Sequence, residues 1–98
     1  MEAINHFREY ADKELQQHLA ALSVSYQNRK IDKETKLKAV ADHRQIFDRE
    51  LKQRADQLNG ADHNPWLAAS LEEVRRIYVS RLKMDDVIAY ADHPAQPS

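Results

Sequence analysis

Apolar side chains recur every three or four positions along most of this chain, with polar residues filling the intervals. Placed at ~100° per residue, Ile4, Ala11, Leu15, Leu19, Leu22 and Tyr26 share one stripe, with Phe7 at its edge and Tyr10 beyond it. That spacing predicts a first helix from Glu2 to about Tyr26. A polar connector, Gln27-Asn28-Arg29-Lys30, follows. Asp32 then has the short acceptor side chain of an N-cap, and Glu34 sits in the positive first turn. The second helix is predicted from Lys33 to Leu58, ending at Asn59-Gly60. Its stripe holds Leu37, Val40, Ala41, Phe47, Leu51, Ala55 and Leu58, with Ile46 on the opposite side.

Asn64-Pro65 reads as an N-cap followed by proline at the first helical position, where the missing N–H costs nothing. Ser70 with Glu73 is a competing start of the capping-box type, and the earlier start is preferred. The third helix is predicted to continue to about Lys83 with a wide apolar arc: Trp66, Leu67, Leu71, Val74, Ile77, Tyr78 and Leu82. Asp85 or Asp86 would cap a short fourth helix through Tyr90, leaving residues 93–98 as a flexible tail. The expected architecture is all-α: an antiparallel hairpin and a third helix forming a three-helix bundle, as one domain over residues 1–92. The alternative is a pair of hairpins joined in a homodimer, with the third helix swapped or laid across the interface.

Composition supports helices over sheet. A sheet protein of 98 residues needs a turn about every ten residues, yet the chain has one glycine and three prolines. The absence of cysteine excludes disulfides, a thiol nucleophile and thiolate metal ligation. No apolar run approaches the ~20 residues of a membrane span, and the first residues lack the basic and apolar regions of a signal peptide. The expected location is cytoplasmic. A formal net charge of −1 gives no general attraction to nucleic acid or anionic lipid.

Candidate chemistry is sparse. One glycine cannot build a phosphate-cradling loop. Neither His-Glu-x-x-His nor Glu-x-x-His occurs. Glu2 with His6 and Glu14 with His18 are each one helical turn apart, but a metal would need a further ligand from another helix. Surface charge pairing is the reading adopted, with no metal and no cofactor. His18 lies within the first apolar stripe, as a core or boundary histidine. Arg8 and Arg44 also intrude on apolar stripes, where long stems cover apolar surface while the heads reach water. Asp12–Gln17 and Asp48–Gln53 resemble each other at an offset of 36 residues. Two similar amphipathic helices produce such an echo without duplication.

No serine lies in a nucleophile-elbow context, so a non-enzymatic protein is expected. The leading reading is a protein-interaction module: an adaptor, regulator or inhibitor. Trp66 would either close the end of the core or anchor an interface, with Arg75, Arg76 and Arg81 beside it. The oligomeric state is open, with a homodimer favoured over a monomer because the wide apolar arcs leave surface to cover. The runner-up is a nucleic-acid-associated regulator using Arg29, Lys30, Lys33, Lys36 and Lys38.

Overall fold

A computed structural model describes residues 2–60 and 64–92, and they form four helices: α1 (Glu2–Gln27), α2 (Lys33–Asn59), α3 (Pro65–Ser80) and α4 (Met84–Asp92). Among the described residues there is no strand. The expected tail, residues 93–98, lies outside them.

Two of the three starts follow from their caps. Asp32, in extended backbone, accepts the Thr35 amide at 2.7 Å. Asn64 accepts the amides of both Trp66 and Leu67, at 2.9 and 3.3 Å, so Pro65 rather than Ser70 opens α3. The third start differs from expectation. Asp85 and Asp86 lie inside the first turn of α4, and Asp86 reaches back to accept the Lys83 amide at 3.1 Å. The end of α3 comes earlier than predicted, at Ser80. There the amides of Arg81 and Leu82 bond carbonyls three residues back, tightening the last turn.

Cross-helix pairs set the directions. Tyr26 meets Lys36, His18 meets His43 and Tyr10 meets Arg54, so α1 and α2 run antiparallel. Arg75 pairs with Asp48, and Asn59 accepts the Asn64 amide at 3.1 Å, so α2 and α3 are antiparallel as well. Helix α1 touches the other three. With 26 residues it is ~39 Å long, whereas the 16-residue α3 spans ~24 Å. One short helix cannot cover it. The break at residues 81–83 lets α4 continue along α1, over Leu15 and Leu19.

The core is one cluster in which Phe7, Phe47, Leu22, Leu51, Leu71, Leu82 and Val87 are the large side chains fully shut from solvent. Phe7, placed at the edge of its stripe by the sequence, is at the centre of the packing. Leu37, placed inside its stripe, is half exposed. The Arg75–Asp48 register brings the end of α3 level with about residue 43 of α2, so Leu37 lies beyond its cover. No helix among the described residues is long and apolar enough to cross a membrane.

Candidate functional site

The wide apolar arc of α3 resolves into two stripes. Leu67, Leu71, Val74 and Tyr78 are buried and face the core. Trp66, Ser70, Glu73 and Ile77 repeat at helical spacing on the adjacent face, about 100° away. Trp66 is 82% exposed and Ile77 is half exposed. Trp66 therefore does not close the core, contrary to the first of the two roles expected for it.

This second stripe borders α1. Ile4, Arg8, Trp66, Ala69, Val74 and Ile77 line an open groove of about 370 Å³. Its continuation is bordered by Arg8, Ile77, Tyr78 and Arg81, with a volume of about 270 Å³. Arg81 lies with its guanidinium 4.8 Å from the centre of the Tyr78 ring, a cation–π arrangement. Burial first, and the nearby Asp12 carboxylate second, push the Tyr78 hydroxyl above its ordinary pKa. Among the described residues, neither Arg8 nor Arg81 forms an ion pair. The groove thus combines apolar walls with two arginines that form no ion pair among the described residues.

Arg75 and Arg76 line a different groove, of about 420 Å³ between α2 and α3, together with Arg44 and Asp48. Arg75 is 19% exposed and bridges two carboxylates: Asp48 on α2 at 3.1 Å and Glu72 on its own helix at 2.5 Å. Glu72 is held below the ordinary carboxylate range, chiefly by that hydrogen bond. Arg76 pairs with Glu73. These cations are already paired within the chain. The four residues grouped by sequence therefore divide: Trp66 and Arg81 share the α1–α3 face, while Arg75 and Arg76 border the α2–α3 groove. Arg44 is half buried in the latter and Arg8 is exposed in the former.

The basic segment is divided too. Arg29, Lys30, Lys33 and Lys38 are exposed. Lys36 instead donates to the Tyr26 carbonyl at 2.7 Å and sits 5.2 Å from the centre of the Tyr26 ring. It satisfies a carbonyl in the last turn of α1, a structural role.

A polar cluster that sequence spacing alone could not assemble lies between α1 and α2. His18 Nε2 donates to Glu50 Oε1 at 2.8 Å, and the Nδ1 atoms of His18 and His43 are hydrogen-bonded at 2.9 Å. Glu14, one turn before His18, completes the group. Burial, then the neighbouring His18, pushes the His43 imidazole below its ordinary pKa. Only the Glu14–His18 half was visible in the sequence. Glu50 and His43 join it because the antiparallel register sets them opposite His18. Glu14 and Glu50 are also equivalent positions of the 36-residue echo.

Compared with known proteins, the chain matches no family model, no curated protein and no solved structure.

Proposed function

We propose that the chain is a non-enzymatic, cytoplasmic protein-interaction module whose four helices form a bundle that presents the α1–α3 groove to a protein partner. Trp66 is the observation that carries this reading. A large aromatic ring left 82% exposed in a capped first turn contributes little to the fold, yet such rings dominate interface energetics. Ile4 and Ile77 extend the apolar surface along the groove. Arg8 and Arg81 add positive charge beside it. The complementary partner is an amphipathic segment with apolar anchors at helical spacing and at least one carboxylate, docked helix-in-groove.

Selection from a displayed random-peptide library against the folded chain tests this. The reading expects ligands with that apolar-plus-acidic pattern. Their affinity should drop at least about tenfold, the scale of a hot-spot residue, in Trp66→Ala. Arg8→Ala should weaken acidic ligands more than neutral ones. Ligands that ignore the Trp66 substitution, or a basic-segment preference for nucleic acid that Lys33 and Lys38 substitutions remove, would displace the proposal.

A further inference from the structure

The cluster between α1 and α2 brings together an imidazole and two carboxylates. The available ligand atoms of Glu14, His18 and Glu50 all lie within 4.8 Å of one another. The His18 side chain is only 12% exposed. Glu14 and Glu50 are half buried at its outer side. Among the described residues, no other group of three such side chains converges in this way.

We propose that Glu14, His18 and Glu50 bind a divalent first-row transition ion, zinc foremost, which clamps α1 to α2. Three features support the assignment. The donor set, one imidazole nitrogen with two carboxylate oxygens, suits borderline ions such as Zn²⁺. Mg²⁺ and Ca²⁺ require more oxygen donors and do not favour imidazole. Two carboxylates also balance the dication's charge. Glu14 makes no hydrogen bond or ion pair within the described residues, so its lone pairs are available.

The neighbouring histidine supplies the third feature. A metal-bound imidazole is normally fixed through its other ring nitrogen. Here His43 stands at that position, its Nδ1 2.9 Å from His18 Nδ1. With His18 Nε2–H donating to Glu50 in the metal-free chain, His43 is the donor of the Nδ1–Nδ1 bond. Binding moves the His18 proton to Nδ1 and the His43 proton to its Nε2. His18 Nδ1–H then donates to His43, and Nε2 is free to ligate. Both protons are conserved. Bonds of ~2.1 Å require donors roughly 3.0–3.5 Å apart. The 2.8 Å His18–Glu50 contact therefore opens by about half an ångström while Glu14 closes in. Water completes the coordination from the open side.

The test uses the full chain, stripped with chelator and dialysed. Zn²⁺ alone is titrated calorimetrically, and Co²⁺ is followed by its visible absorption. The expected result is one equivalent bound and a thermal midpoint that rises with zinc, by about 10 °C at a hundredfold excess over Kd. His43→Phe should weaken binding about tenfold or more, as loss of an outer-shell partner does. His18→Gln should remove it, with the helical circular dichroism retained. Glu14→Gln provides a second ligand variant at a half-exposed position, should His18→Gln fail to fold. His6→Gln, affecting the Glu2–His6 pair, should leave zinc binding unchanged. No bound zinc, or zinc that persists in both His18→Gln and Glu14→Gln, overturns the site.

Discussion

Trp66, Phe7 and Asn64 show how differently neighbouring residue types act once their positions are known. Trp66 stands in solvent, so Trp66→Ala should move stability by no more than about 0.5 kcal/mol, the range of ordinary surface changes. Phe7 and Phe47 are fully buried, and Phe→Ala at either should cost about 3–5 kcal/mol. Urea titrations of the three variants read both outcomes on one scale. Asn64 satisfies two amides at the start of α3, so Asn64→Ala should cost about 1 kcal/mol. The sequence showed that cap because its chemistry is local. It could not show which side of α3 holds the core. Trp66 and Leu67 are adjacent and both apolar, and only contact with α1 and α2 separates the buried stripe from the exposed one. Leu37 and Phe7 exchanged expected roles for the same reason: burial depends on how far the next helix reaches.

Helix boundaries were legible wherever a side chain writes them. Asp32, Asn64 and Asn59-Gly60 delimit α2 and the start of α3 through hydrogen bonds within a few residues. The α3–α4 break carries no glycine or proline. It rests on tightened bonds at Arg81 and Leu82, on Asp86 capping Lys83, and on Leu82, which is fully buried within the break. Leu82→Ala should therefore cost about 2–5 kcal/mol, measured by denaturant unfolding, despite lying outside any helix. The α2–α3 contact also has a pH signature. Glu72 has its pKa lowered from 4.5, mainly by the Arg75 hydrogen bond. Its contribution is present above that unfolded value and fades as pH falls through the lower native one. Glu72→Gln should reduce stability slightly at pH 7, and by less as pH falls through the native pKa, because the Glu72 side chain is itself largely exposed and screened by solvent.

At the scale of the whole molecule, one long helix is shared by three partners. Helix α1 lies against α2 along its length, α3 covers its first half and α4 continues over the second. Register in this arrangement decides what comes together, and a single sequence does not specify register. Glu14 and His18 were recognisable as a one-turn pair. Their convergence with Glu50 and His43 required the antiparallel pairing of α1 and α2. The four residues singled out near Trp66 were read as one patch, and α3 turns them to two sides. What remains on the α1–α3 face is an apolar groove with an exposed tryptophan and two arginines that form no ion pair among the described residues.

Trp66 is the only tryptophan in the chain, so its fluorescence reports on this face without labelling. The most direct measurement is its emission maximum and acrylamide quenching in the folded chain, across a dilution series and in denaturant. The account predicts solvent-like, freely quenched emission in the dilute native chain, nearly unchanged on unfolding, with a blue shift and protection when a groove-binding peptide is added. A blue-shifted, protected native emission that persists on dilution and moves red only on unfolding would contradict it, placing Trp66 in the core.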